Sequence, residues 1–204
     1  MIVEPGATIS IIGGGWSIGL LGKRRARIPG RWLGVNDSYL RMACEFGLTM
    51  DRLWLEHRFR EVCENGLPFW ARKSACVNID LHHFIRRFDN DHTSTAPSLV
   101  DGVLNGTTSG ICALNLAVQW RPRRILLWGF DLCRNPANNR AYWFDDYPWA
   151  KPGGATTSGK YAEWSRQYAN MRALADLQGT ELLNCSPVSK LLGIKKINPE
   201  EVLC

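Results

Sequence analysis

Short apolar runs along this chain alternate with glycine-rich or polar turns and with stretches of helical spacing. Ile9-Ser10-Ile11-Ile12 predicts a buried strand, and Gly13-Gly14-Gly15 follows it directly. Trp16 to Leu21 predicts a short helix. Arg31 to Val35 predicts a second strand, ending at Asn36-Asp37. Leu40, Ala43 and Cys44 fall at helical spacing, so a helix is expected over 39–46 with Gly47 closing it. Residues 51–55 read as a third strand, 57–65 as a helix stopped at Gly66, and 75–81 as another strand.

The polar segment 86–103 reads as an insertion or lid. From Thr108 to Trp120, Ile111, Leu114 and Ala117/Val118 mark one helical face. Ile125 to Trp128 is an unbroken apolar run, as a central strand requires. Residues 133–159 lack periodicity and are rich in Asn, Pro, Gly and aromatics, the composition of a long functional loop. A strong helix over 161–178, ended by Gly179, precedes a last strand over 180–184. Strands alternating with helices predict an α/β fold: a single Rossmann-like domain over 1–204, with a mainly parallel sheet flanked by helices and a long loop or lid.

At 204 residues the chain is long enough for a sizeable core, and its 45% apolar content argues against disorder. No apolar run approaches the roughly 20 residues of a membrane helix, and Glu4-Pro5-Gly6 interrupts any secretory pattern. A soluble cytoplasmic protein with no membrane partner is expected. The seven cysteines are odd in number and scattered, with neither C-x-x-C nor zinc spacing, which fits reduced thiols and no metal site. The net charge of +6 gathers at Lys23-Arg24-Arg25, Arg86-Arg87, Arg121 to Arg124 and Lys195-Lys196. Such clusters suit either a solvated surface or a polyanionic partner. Among nine tryptophans, Trp143, Trp149 and Trp164 lie in or beside polar segments, where they can stack on a base or sugar.

Gly13-Gly14-Gly15-Trp16-Ser17 matches neither G-x-G-x-x-G nor the Walker A pattern. It is either a tight strand-to-helix turn or a place where backbone approaches a phosphate or ribose. Asn36 carries both donor and acceptor and can read a base or ribose, while Asp37 or Ser38 can cap the next helix. In Thr107-Thr108-Ser109-Gly110, capping explains one hydroxyl and anion binding at the helix start would explain the others. Gly129-Phe130-Asp131 closes the central strand, where Asp131 can orient a ribose, hold a loop or act in catalysis. Tyr142 to Tyr147 mixes aromatics with Asp145 and Asp146, adjacent carboxylates of which one at most is expected to act as a base. His82, His83 and His92 lie in the unassigned region and read more readily as structural.

Taken together, the order G-G-G-x-S, G-V-N-x-x-Y, T-S-G-x-x-A-x-x-L-A, I-x-L-x-G-F-D, Y-W-F, a last helix and N-C-S-P resembles a group of small phage and prophage proteins. That group is related to the DUF115/MptE-like superfamily, which includes flagellin-type motility glycosyltransferases and archaeal hydroxymethylpterin diphosphokinases. More distantly, the order is similar to that of the compact bacterial sialyltransferases. The resemblance implies that Gly14, Gly15 and Ser17 line a nucleotide site. It also implies that Asn36 contacts nucleotide or donor, that Thr108, Ser109 and Gly110 hold ribose or phosphate, and that Gly129 and Asp131 sit at the strand tip. Tyr142 falls on the loop whose tyrosines, in the sialyltransferases, assist the leaving phosphate without a metal, and Tyr147 can share that part. Those enzymes place a catalytic histidine before the last helix. Here Thr156 to Lys160 stand there and no histidine follows His92, so either Asp145 or Asp146 is the base, or His82, His83 or His92 folds in, or the chemistry differs; Asp131, Tyr142, Asp145 and Asp146 are the catalytic candidates.

The expected activity is therefore metal-free transfer of a sugar from a nucleotide-sugar donor to a hydroxyl acceptor. The basic surface makes a hydroxymethylated pyrimidine in phage DNA a candidate acceptor, in the host cytoplasm if the chain is phage-encoded. Two alternatives stand beside it. One is a diphosphokinase needing ATP and Mg²⁺ bound by Asp131, Asp145 or Asp146. The other is a non-catalytic module binding nucleotide or DNA.

Overall fold

The computed structural model describes residues 3–4, 6–76, 83–91, 93–94, 96–145, 147–149 and 158–203. One sheet of eight parallel strands runs through it in the order β5-β4-β3-β2-β1-β6-β7-β8. The strands are β1 (Thr8–Ile12), β2 (Arg31–Val35), β3 (Phe46–Thr49), β4 (Phe69–Arg72), β5 (Ile85–Phe88), β6 (Arg124–Trp128), β7 (Glu181–Asn184) and β8 (Lys195–Lys196). The order reverses between β1 and β6, which opens a crevice at their carboxyl ends. This is the expected α/β Rossmann-like architecture. No described helix is long and apolar enough to cross a membrane.

Helices α3 (Ser109–Gln119) and α4 (Ser158–Leu177) cover one face of the sheet. The other face is covered by α1 (Asp37–Arg41), α2 (Arg52–Asn65) and a 3₁₀ segment over Trp16–Arg27. Alternation along each strand feeds both layers. Ile125 and Leu127 pack with Leu33, Ile111 and Met171, while Leu126 and Trp128 pack with Ile18, Tyr39 and Trp54. Ser10 survives inside buried β1 because both its bonding capacities are used. Its hydroxyl donates to Pro29 O (2.7 Å) and accepts from Trp128 Nε1 (3.1 Å).

Four expectations are corrected. The segment 51–55 is not a strand: Asp51 caps α2 by accepting from Trp54 N (3.1 Å), and Gly66 ends that helix in the left-handed conformation. The helix expected over 39–46 stops at Arg41, and Phe46-Gly47 begins β3. Gly47 is a strand residue there because a Cβ would lie 2.6 Å from the rings of both Phe69 and Tyr39. The segment read as a lid carries β5 and is fastened to α3, away from the crevice. Asn115 exchanges bonds with Ser98 (3.0 and 2.7 Å), and Gln119 Nε2 donates to Ser98, Val100 and Val103 carbonyls. The strand expected over 75–81 is a 3₁₀ turn at Lys73–Ala75, and 77–81 fall outside the described residues.

Gly34 on β2 backs directly onto α1, where a Cβ would stand 2.6 Å from Tyr39 N and 2.8 Å from Cys44 Sγ. Gly34→Ala is expected to destabilise the fold by about 1–3 kcal/mol, as overpacking against backbone does. Urea unfolding at neutral pH checks this, and an unchanged midpoint would refute the close packing of α1 on β2.

Candidate functional site

The carboxyl ends of β1, β2, β3, β4 and β6 and the amino end of α3 enclose a cleft of about 640 Å³. Gly13 N donates to Trp128 O (2.7 Å) and Gly15 N to Gly129 O (2.9 Å), so the turn after β1 lies flat on the turn after β6. Gly129 adopts φ +70°, which glycine accepts without strain. A Cβ on Gly15 would fall 2.6 Å from Asp131 Oδ2, and one on Gly14 would fall 3.1 Å from the Tyr142 ring. The glycine run is thus required by packing, and it leaves Gly13, Gly14 and Gly15 on the cleft wall.

Asp131 is 2% exposed and accepts from Ser17 N (2.8 Å) and Ser17 Oγ (2.5 Å). Burial pushes its carboxyl above the usual range, while the bonds from Ser17 and Ser186 pull it down. The pair is a latch between two loops. Ser17 lies behind the glycine turn, off the cleft wall, which departs from its expected role as a nucleotide contact. Asp131 reaches the wall with its carboxylate engaged by Ser17, so it holds a loop, one of the three roles open to it from the sequence.

Asn36 ends β2 at φ +52°, ψ −130°, a conformation rare for a residue with a side chain. Its Oδ1 is buried on the cleft wall with no hydrogen-bond partner among the described residues. A strained residue with an unpartnered buried acceptor is a candidate position for a ligand's donor. Neither Asp37 nor Ser38 caps α1 by its side chain. Asp37 accepts from Trp54 Nε1 (2.7 Å) and Arg41 Nε (3.0 Å), and Ser38 Oγ donates to Gly13 O (2.9 Å).

The hydroxyls before α3 are used inside the protein. Thr108 caps the helix by accepting from Ile111 N (3.2 Å), Ser109 Oγ accepts from Met50 N (2.9 Å), and Thr107 bonds Gln167. Gly110 leaves room for Tyr168, whose hydroxyl would stand 2.9 Å from a Cβ there. Tyr168 bonds Thr108, and burial pushes its phenol well up. Helix geometry still leaves the first amides of α3, at Ser109 and Gly110, facing the cleft without an intrahelical acceptor.

Tyr142 reaches the wall on a loop pinned to Gly15 by a single antiparallel bridge, with Trp143 N donating to Gly14 O (3.2 Å). Its ring stacks on Phe144 (5.2 Å, 4°), Tyr147 stacks on Trp149 (5.0 Å, 16°), and Trp149 stacks on His57 (4.2 Å, 6°). Trp143 and Trp149 therefore fasten the loop, and Trp164 is the tryptophan expected to stack that does line the cleft. Tyr147 also lines it, bonded to the Asp37 backbone, with its phenol pushed well up by burial. Asp145 departs from its expected catalytic place: its side chain is 96% exposed, pairs with Arg140 (2.5 Å) and is off the wall. Asp146, His82 and His92 fall outside the described residues, and His83 packs against Phe84. Among the described residues no three His, Cys, Asp or Glu cluster as metal ligands would.

Sequence reasoning passed over Asp51, Arg72, Tyr161 and Tyr168, all on the wall. The signal for Asp51 was there, since Asp three residues before an apolar position is a cap pattern. Arg72 had none, because β4 was not recognised.

Two solved structures share this architecture. Over 98% of this chain and 35% of the other, the fold matches that of the MAf glycosyltransferase from Magnetospirillum magneticum AMB-1, at a TM-score of 0.63 and 15% identity. Over 96% of this chain and 86% of the other, it matches the sialyltransferase CstII from Campylobacter jejuni, at a TM-score of 0.58 and 13% identity. The latter was solved in complex with a substrate analogue, cytidine-5'-monophosphate. The chain thus spans about a third of the length of the Magnetospirillum protein. No family model and no curated protein matches the sequence. These likenesses establish a fold shared with glycosyltransferases.

Removing the Ser17 hydroxyl leaves a buried carboxylate short of one donor. Ser17→Ala is expected to cost about 1–3 kcal/mol of stability, read by urea unfolding. The raised folded pKa of Asp131 also fixes a sign. Its ionised form is penalised in the folded state, so stability is lost as pH rises from the ordinary value of 3.8 through the folded value. The wild-type curve minus that of Asp131→Asn is expected to fall across that window, and a difference that rises would show a net-stabilised carboxylate.

Proposed function

We propose that this chain is a glycosyltransferase that binds a nucleotide-sugar across the switch-point cleft and moves the sugar to a hydroxyl acceptor. Asn36 carries the reading: a strained residue with a buried, unpartnered acceptor, at the carboxyl end of β2, in a fold shared with two glycosyltransferases. Gly14, Gly15 and Gly129 form the floor under the nucleotide. The Ser109 and Gly110 amides and the Tyr142 hydroxyl stabilise the departing phosphate, where negative charge accumulates. Thr108 acts by capping α3 and so aiming those amides.

With Asp131 latched and Asp145 outside, Asp51 takes the part of base. One of its oxygens accepts from Trp54 N, and the other remains for an acceptor hydroxyl at the cleft wall. In the same reading the acceptor is a hydroxymethylated pyrimidine of DNA. The net charge of +6 and the placement of Trp164 support it. A diphosphokinase would need carboxylates converging on Mg²⁺. Asp131 and Asp145 do not converge, and Asp146 is outside the described residues.

A thermal-shift screen of CMP, UMP, UDP, GDP and ATP, each with and without Mg²⁺, followed by turnover of the matching nucleotide-sugar, tests the function. One nucleotide is expected to raise Tm without metal. Asn36→Gly, which relieves the backbone strain and removes the orphaned oxygen, is expected to melt no lower than wild type while losing most of that shift. No nucleotide shift at all, or one with ATP only when Mg²⁺ is present, would overturn the reading. For the acceptor, DNA affinity is expected to fall steeply with added salt, and no DNA binding at low salt would remove DNA.

A further inference from the structure

Arg72 is the last residue of β4, beside the part of the cleft formed by Met50 and Asp51. The register pairs Val35 with Leu48 and Thr49 with Ala71, so Arg72 stands at nearly the level of Asn36, two strands away. At strand spacing that is about 10 Å. Its Nε is buried, and among the described residues it has no hydrogen-bond partner and its guanidinium has no carboxylate within ion-pair distance. One oxygen of Asp51 caps α2, and Asp89, after β5, pairs with Lys73. Arg72 also lies close to the start of α3. Burial pushes the Cys112 thiol up to about 12, and the Arg72 charge pulls against that rise.

A guanidinium with a desolvated, unpartnered donor is costly unless an anion meets it. An arginine fork matches the two oxygens of a carboxylate or phosphate. The amides that open α3 add partial positive charge on the same side of the cleft. On the reading of the cleft given above, we propose that Arg72 binds an oxyanion of the ligand distinct from the leaving phosphate held at α3. The donor or acceptor accordingly carries a second acidic group. Two sources share this chemistry: the second phosphate of a nucleoside diphosphate and the carboxylate of an acidic sugar. Asn36 and Arg72 are then complementary specificity residues, an acceptor and a cation at the two ends of one cleft.

The probes are inorganic pyrophosphate, glucuronate and neutral glucose at millimolar concentration, measured by thermal shift on wild type, Arg72→Met and Arg72→Lys. Pyrophosphate or glucuronate is expected to stabilise the wild type. The apparent affinity should fall roughly tenfold or more in Arg72→Met and recover in part in Arg72→Lys. Glucose should not distinguish the three proteins. Dependence on Arg72 for pyrophosphate alone assigns the second phosphate, and for glucuronate alone the acidic sugar. Without ligand, Arg72→Met is expected to melt no lower than wild type, because it removes a buried Nε that has no partner among the described residues. A clear loss of Tm there would show a structural partner and overturn the proposal. Anion binding that is absent from wild type, or equal in all three proteins, would overturn it too. Arg72-dependent anion binding together with no binding of any nucleotide would leave the subsite standing and refute the nucleotide-sugar reading.

Discussion

The carboxylate of Asp131 and the amide and hydroxyl of Ser17 tie together the two turns that leave the sheet at its switch point. Everything on the cleft floor follows from that tie. It draws the glycine run over Gly129 so closely that a methyl group at position 15 would strike Asp131. The flattened turn then presents its backbone to the cleft and accepts the Ser38 hydroxyl at Gly13 and the Trp143 amide at Gly14. One buried ion with its donors therefore fixes β1, β6, α1 and the aromatic loop relative to each other. Burial alone would favour protonating that ion, and the two bonds from Ser17 oppose this.

Around this floor, most polar groups of the cleft satisfy one another. Thr107 ties the start of α3 to Gln167 of α4, Thr108 caps α3 and bonds Tyr168, and Ser109 holds the Met50 amide just after β3. The loop bearing Tyr142 is held by stacked rings that run on to His57, with Arg41 and Arg25 over the Phe144 and Trp143 faces. Two side-chain atoms on the cleft wall stand out against that background, the Asn36 Oδ1 and the Arg72 Nε, which have no hydrogen-bond partner among the described residues. Most buried donors and acceptors of a folded chain are paired, so groups left without a partner on a cleft wall are candidates for a ligand's contacts.

The strands that build the centre of the sheet were readable because they are buried on both faces. β1, β2, β6 and β7 appear in the sequence as compact apolar runs, and α3 and α4 as helical periods with caps. The other half of the sheet was not readable. β3 contains a glycine whose missing side chain makes room for Phe69 and Tyr39, so its run looks like the end of a helix. β5 carries two exposed arginines and resembles a loop, and β8 is two lysines long. At the site, the glycine turn, Asn36, the Thr-Ser-Gly turn and the Gly-Phe-Asp tip were legible as strand and helix ends, and all of them reach the cleft.

The sequence by itself determined the α/β class, the central strands and the turns that line the cleft, because burial periodicity and turn chemistry are local properties. Tertiary structure alone decided what each polar group does. Ser17 and Asp131, 114 residues apart, turned to each other. Asp51 and Arg72 came to the cleft from elements whose identity depends on partners distant in the chain, and Asp145 stayed in solvent with Arg140. A side chain's hydrogen-bond partner is set by which strands lie side by side, and strand order is a non-local property that no window of the sequence contains.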